Sequence, residues 1–253
     1  MTTILVPFHQ DERLPEDCIR LPDDLDVVLI DPVLTPGGQW SRLTELYRAV
    51  AESVTARLAT DLCPTVVSGD CLTALATLTG VQQAGQDAAI VWFDAHGDVH
   101  TLDSSTSGYL GGMALRMAVG GDPDKLTGPL GTHPLPEDRA VLVDARDLDP
   151  AEADFLTASR LRRIPVDEVT ADLLGAAPLI VHLDVDVIDA SELPGLRFPV
   201  PGGPSTSTVI AAVHRLLDSG RVVALDIACP WHPASSPQEA ETRALLLAAL
   251  LKH

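Results

Sequence analysis

Residues 88–93 are apolar at every position and run directly into an acidic tail, DAHGDVHT at 94–101. A run this short and this uniformly apolar fits a strand buried on both faces, the situation of strands in a parallel sheet sandwiched by helices. The rest of the chain repeats the pattern. Strands are predicted at 3–7, 27–30, 65–68, 140–143, around 164, at 179–183 and at 222–227. Longer Ala/Leu-rich segments between them predict helices at 41–60, from about 72, and at 113–119, 151–159, 167–174, 207–217 and 237–251. Residues 102–112 form a Ser/Gly-rich loop, and the Gly/Pro-rich stretch 121–137 reads as a surface loop because the alternation continues on both sides of it. Strand–helix alternation predicts an α/β fold with a mostly parallel sheet covered on both faces. One domain over residues 1–253 is the simpler organisation, and periodicity alone leaves a closed eight-stranded barrel open as the alternative.

Charge narrows the partners. Seventeen Lys and Arg face 36 Asp and Glu, a formal net charge of -19, so the basic footprint of nucleic-acid binding is missing and an anionic membrane surface is disfavoured. No stretch approaches the roughly 20 apolar residues of a membrane span, and the N-terminus does not read as a signal peptide. Cys18, Cys63, Cys71 and Cys229 are scattered without a C-x-x-C pair, which argues against a disulfide framework or a zinc ribbon and makes a reducing cytoplasm the expected location.

Acidic clusters follow two of the strands. The first holds Asp94, His96, Asp98 and His100; the second, in LIVHLDVDVIDASELPG, holds His182, Asp184, Asp186 and Asp189. Open α/β sheets bind ligands beyond the carboxyl ends of their strands, and alternate residues of an extended chain point the same way. Two neighbouring strands would merge these clusters into one site. Carboxylates gathered so closely repel one another, and bound divalent cations remove that cost. Oxygen-rich ligation with imidazole suits manganese, with iron, cobalt or zinc chemically allowed. The competing reading of D-A-H-x-D alone is a turn whose Asp side chains cap backbone N–H groups; the second D-x-D in the same context favours the metal.

With these motifs the chain resembles the ureohydrolase superfamily of arginase, agmatinase and related amidine hydrolases. DAHGD at 94–98 and HLDVD at 182–186 resemble its two metal-ligand motifs, supported in order by TSG at 106–108, RDLDP at 146–150, PVPGG at 199–203 and LDIACPWHP at 225–233. The resemblance covers roughly residues 60–250 and implies a three-layer α/β/α domain, a two-manganese cluster, a small-molecule substrate and trimeric or hexameric assembly. It implies that Asp94 and Asp184 bridge the metals, with Asp98 on one side and His96 and Asp186 on the other. The remaining histidine position is Cys71, in SGDCL at 68–72. Either its thiolate is a substituted ligand, softer and favouring zinc or ferrous iron, or that metal is weakly held.

Other departures bear on activity. Gly111 stands where the family carries a substrate-loop histidine, Cys229 where it carries a glutamate for the guanidinium, and His100 where it carries an asparagine. GYLGGM with Cys71 and His182 resembles the branch that hydrolyses N-hydroxyarginine in D-cycloserine biosynthesis. The resemblance therefore implies hydrolysis of a linear amidine, guanidine or N-hydroxyguanidine C–N bond by metal-bridging hydroxide, and not ordinary arginase activity. Asp98 is the candidate proton carrier, with His100 and His232 as candidate aids to the leaving group. Ser107, Asp149 and Cys229 are candidate substrate contacts; the alternative for Asp149, followed by Pro150 and Glu152, is a helix cap, and the alternative for Cys229 is a buried thiol. Tyr109 is a candidate for the mouth of the site. The competing function is a noncatalytic metal- or small-molecule-binding protein on the same scaffold.

Overall fold

A computed structural model of the chain describes residues 2–60 and 63–252. In chain order the elements are β1 (Thr3–Val6), a small antiparallel ribbon of β2 (Phe8–His9) and β3 (Glu12–Arg13), β4 (Val27–Leu29), α1 (Gln39–Leu58), β5 (Thr65–Ser68), α2 (Thr73–Gln83), β6 (Ala89–Asp94), α3 (Ala114–Ala118), α4 (Thr127–Leu130), β7 (Ala140–Asp144), α5 (Pro150–Ala158), β8 (Arg162–Ile164), β9 (Leu179–Asp184), α6 (Thr206–Asp218), β10 (Val222–Ala228) and α7 (Pro237–Leu251). Among the described residues eight strands form one sheet in the order β4-β1-β5-β10-β9-β6-β7-β8. Every neighbouring pair in it is parallel. The sheet is open, with β4 and β8 at its edges, so the barrel alternative does not hold. β10, the last strand, lies between β5 and β9 at the centre.

Strand residues alternate between two cores, as a period of two requires. Ile4, Val66, Ile90, Trp92, Leu142 and Ile180 face α1 to α3. Val67, Val91, Phe93, Val141, Val181 and Ile227 face α6 and α7. Burial on both faces explains why β6 and β9 lack the polar alternation of a half-exposed strand. The helices are started by local chemistry: Ser205 and Ser236 accept from backbone N–H groups at the heads of α6 and α7, and Pro237 and Pro150 occupy first-turn positions.

Two expectations need correction. Residues 167–174 do not form a helix but two 3-10 turns, Val166–Glu168 and Ala171–Leu174, separated by extended Val169 and Thr170. β-Branched residues lose side-chain freedom in a helix, and neither turn has the length to compensate. The 121–137 stretch is not only a surface loop. It contains α4, and Leu126, Leu130 and Leu135 are buried in the α1-side core.

Helix α1 packs closely on α2 at Gly80, where an added Cβ would lie 2.7 Å from both the Ala51 carbonyl oxygen and Val54 Cβ. Gly80→Ala should therefore destabilise the fold by about 1–3 kcal/mol through overpacking, read as a lower urea midpoint with an unchanged m-value.

Candidate metal centre

The two acidic clusters converge because β6 and β9 are neighbours, pairing Phe93 with Leu183. Asp94 ends β6 and Asp184 ends β9. Asp94, Asp98, Asp184 and Asp186 are all at least 96% buried. Local backbone fixes them. The Asp94 carboxylate accepts from His96 N at 2.7 Å and from Trp92 Nε1 at 3.2 Å. Asp184 accepts from Asp186 N at 2.8 Å, and Asp186 from Ala95 N at 3.2 Å, which crosslinks the two strand ends. Asp98 adopts a left-handed φ of 53°, uncommon away from glycine. Its buried Oδ2 has no hydrogen-bond partner among the described residues.

His96 Nδ1 lies 3.1 Å from Asp186 and 3.3 Å from Asp94. Cys71, just after β5, reaches the same place: its Sγ is 2.8 Å from Asp184 Oδ2 and 3.8 Å from Asp94 Oδ2. One ligand atom each from Asp94, His96 and Asp186 fits within a 4.8 Å span, and so does one each from Cys71, Asp94 and His182. The six residues expected as ligands, Cys71, Asp94, His96, Asp98, Asp184 and Asp186, are thus gathered at the carboxyl edge.

Proton affinities record how crowded the cluster is. Burial, then the neighbouring Asp94, pushes the Asp98 carboxyl well above its ordinary value. Burial with Asp186 and Asp94 does the same to Asp184, and burial with Asp94 raises Asp186 to about 6. Burial is the largest influence on Asp94 and opposes its ionisation, but the hydrogen bonds and charge of His96, with the charge of His182, together outweigh it and hold Asp94 low. Burial likewise works against the His96 cation, yet Asp186 and Asp94 push its pKa up to about 12. Burial, reinforced by Asp184, drives the Cys71 thiol well above its usual value. Cations can relieve the same crowding that raises these proton affinities, and the partnerless Asp98 Oδ2 is a ligand oxygen without a hydrogen bond. The donor set fits divalent metals.

A cavity of about 300 Å³ opens over the cluster. Its wall includes Cys71, His96, Asp98, Asp184 and Asp186, and farther out His100, Ser107, Tyr109, Asp149 and Glu152. His100 Nε2 lies 3.0 Å from Asp149 Oδ2, and its Nδ1 is 3.0 Å from Ser104 Oγ. Asp149 does double duty: its N–H donates to Glu152 at 3.0 Å at the head of α5, while its largely exposed carboxylate faces the cavity. Tyr109 tilts against Phe198 at 4.8 Å between ring centroids and stacks with His9 at 5.7 Å. A Cβ on Gly111 would lie 2.4 Å from the Tyr109 ring, so the tyrosine fills the space a side chain at 111 would need.

Two expected residues lie elsewhere. Cys229 is fully buried on the α6–α7 side of the sheet and outside the cavity wall. His232 is exposed and also outside the wall. Its backbone N–H bonds to Gly195 and its carbonyl to Arg243, which leads the segment away. Asp189 is engaged by Ser191 and Gly203 within its own loop. Sequence reasoning missed Asp147 and Phe198 in the wall, and saw Glu152 only as the far half of a helix cap. It also found no family signature in the first 60 residues, although His9 contacts Tyr109 and its Nδ1 donates to the Gly69 carbonyl oxygen, 2.8 Å away.

Fold and site together define an arginase-type α/β/α scaffold with candidate metal-coordinating clusters at its sheet edge. The sequence profile described as "Arginase family" matches residues 9–252, and the chain belongs to that family. It is 32% identical over 226 residues to the N(omega)-hydroxy-L-arginine amidinohydrolase of Streptomyces lavendulae, covering 86% of this chain and 80% of that one. It is 32% identical over 176 residues to the arginase of Bacillus subtilis, covering 64% of this chain and 60% of that one. The crystal structure of arginase from Bacillus subtilis subsp. subtilis str. 168 superposes with a TM-score of 0.84 at 25% identity, over 100% of this chain and 98% of that one. The match from residue 9 extends the likeness well upstream of residue 60. No helix among the described residues is long and apolar enough to cross a membrane.

Metal binding must displace protons from this cluster. Loading should release protons, and affinity should weaken as pH falls through about 6, where Asp186 takes up its proton. Calorimetry in two buffers of different protonation enthalpy counts the protons; a count of zero at pH 6 would show that the carboxylates bind metal already ionised.

Proposed function

We propose that this chain is a metal-dependent hydrolase of a linear guanidine, N-hydroxyguanidine or amidine C–N bond, with residues 1–253 acting as one arginase-like unit, and that it is not an ordinary arginase. The observation that carries the reading is the buried cluster of Asp94, Asp98, Asp184 and Asp186 opening onto a cavity. Its likeness to an enzyme named for N-hydroxy-L-arginine supports the substrate class, and four free cysteines fit a cytoplasmic setting.

Cys71, Asp94, His96, Asp98, Asp184 and Asp186 would hold the metals, Asp98 grouped with Cys71 and His96 with Asp186. Manganese is the cofactor this oxygen-rich set favours, with the Cys71 side open to another divalent metal. Bound metals supply Lewis acidity and a water acidified toward neutral pH. Asp98 accepts and passes the proton through Oδ2, which no protein group occupies. Water adds to the trigonal carbon, the C–N bond breaks, and the departing nitrogen takes the proton; N-hydroxyarginine would yield ornithine and hydroxyurea.

His100, Asp149 and Ser107 are assigned to the distal end of the substrate. The paired His100 and Asp149 offer a donor and an acceptor to an amino-acid end. Tyr109 holds the mouth in place of a side chain at 111. With Cys229 buried behind the wall, no carboxylate from that position grips the guanidinium, which removes a charge-assisted contact used for a planar cation. His232 has no role in this scheme.

The test is turnover of L-arginine, agmatine and N-hydroxy-L-arginine by fully metallated protein, with urea and hydroxyurea quantified. Hydroxyurea release should exceed urea release from arginine. Asp98→Asn should lower kcat by about 10²–10⁴-fold. The noncatalytic alternative draws on Gly111 and Cys229. It prevails if a metallated sample binds these compounds calorimetrically and converts none.

A further inference from the structure

His182 lies within β9, two residues before Asp184 and therefore on the same face of the sheet. It is fully buried. Its Nδ1 is 2.7 Å from Asp226 Oδ1 on the adjacent strand β10. Asp226 is fixed in turn by Thr77 Oγ1 of α2, 2.6 Å from Oδ2. A carboxylate at Nδ1 makes that nitrogen the donor and leaves the Nε2 lone pair facing outward. Nε2 has no hydrogen-bond partner among the described residues.

A buried polar atom without a partner is costly, and an imidazole serving only as core packing has no reason to be oriented so firmly. Trp92 lies against the ring, 3.7 Å between centroids, while its own Nε1 donates to Asp94. Nε2 cannot swing away. One ligand atom each from His182, Cys71 and Asp94 fits within 4.8 Å. Zinc bonded to tetrahedral nitrogen and sulfur ligands holds those atoms roughly 3.5 Å apart, which this span accommodates.

We propose that His182 Nε2 is a metal ligand, forming with Cys71 Sγ and Asp94 a nitrogen–sulfur–oxygen set that makes one half of the centre a zinc or ferrous site. The inference rests on the metal-binding reading above and adds a ligand and a metal preference to it. Asp226 and Thr77 are positioning residues: they hold the imidazole with Nε2 toward the metal, the carboxylate–histidine–metal arrangement that orients such ligands. The Cys71 proton, now directed at Asp184, leaves to solvent as the thiolate binds. The other half, with His96 and Asp186, keeps the oxygen-rich character that suits manganese.

The test uses the full chain, stripped of metal and titrated with cobalt(II) alone. Two ions should bind, one with a near-ultraviolet thiolate-to-cobalt band that Cys71→Ser abolishes. His182→Gln should weaken that band-carrying site by more than about 100-fold. Asp226→Asn, which only loosens orientation, should cost about 10–100-fold. Anomalous diffraction from the zinc form of the unaltered chain should place the ion about 2.0–2.1 Å from His182 Nε2, a measurement independent of whether either variant folds. Unchanged affinity of the thiolate site in a folded His182→Gln, or zinc remote from Nε2, overturns the proposal. Cobalt binding without any thiolate band also overturns it while leaving the metal reading intact. A chain that binds no cobalt at all removes the metal reading itself.

Discussion

Four carboxylates buried at one sheet edge are the constraint around which this structure is arranged. Two unit charges about 4 Å apart at an effective dielectric of 20 repel by about 4 kcal/mol, a cost that grows with each carboxylate added to the cluster. The chain tolerates this by placing His96 between Asp94 and Asp186. It also turns backbone N–H groups of Ala95, His96 and Asp186 toward the carboxylates, and burial raises the proton affinity of Asp98 and Asp184. Each device is local and cheap because strand ends present successive N–H groups in a fixed direction. The helices on both faces exclude water, so the repulsion is not screened away. Cations are the natural completion of such an arrangement.

Much of this was legible in the sequence for a physical reason. A strand buried on both faces must be apolar throughout, so 88–93 and 179–183 announced themselves, and charged residues straight after them could only lie at an edge. Alternation at Asp94, His96 and Asp98 predicted a shared direction on an extended chain, whereas β6 ends at Asp94, the chain bends at 95–96 and Asp98 takes a left-handed φ of 53°. What could not be read is what depends on strand order. That His182 meets Asp226 requires β9 beside β10, and nothing in either segment specifies that neighbour. The same holds for His9, whose approach to Tyr109 depends on a ribbon of two-residue strands too short for any periodic signal. The 167–174 segment failed differently: the β-branched pair Val169–Thr170 stays extended and leaves two short turns where a helix was expected.

The departures from the family pattern turn out to be coordinated. Gly111 is not simply a lost histidine, since the Tyr109 ring occupies its side-chain volume. Cys71 is not an isolated exchange either, because Asp184, Asp94 and the His182 ring surround its sulfur. His100 brings an imidazole onto Asp149 where an asparagine would bring an amide. Cys229 differs from these: it faces the opposite core and leaves the cavity wall without a replacement.

The central position of β10 has a consequence for how the molecule comes into being. Cys71 follows β5, while the aspartates follow β6 and β9, and the strand that joins these two halves of the sheet is the last one synthesised. Without residues 222–228 in place the described strands would divide into two parallel half-sheets, β4-β1-β5 and β9-β6-β7-β8, each with an open inner edge. Insertion of β10 brings Cys71, after β5, up to the aspartates that β6 and β9 gather by their own pairing. A cation arriving then acts on the folding equilibrium as well as on the chemistry, since it is held fully only by the finished chain.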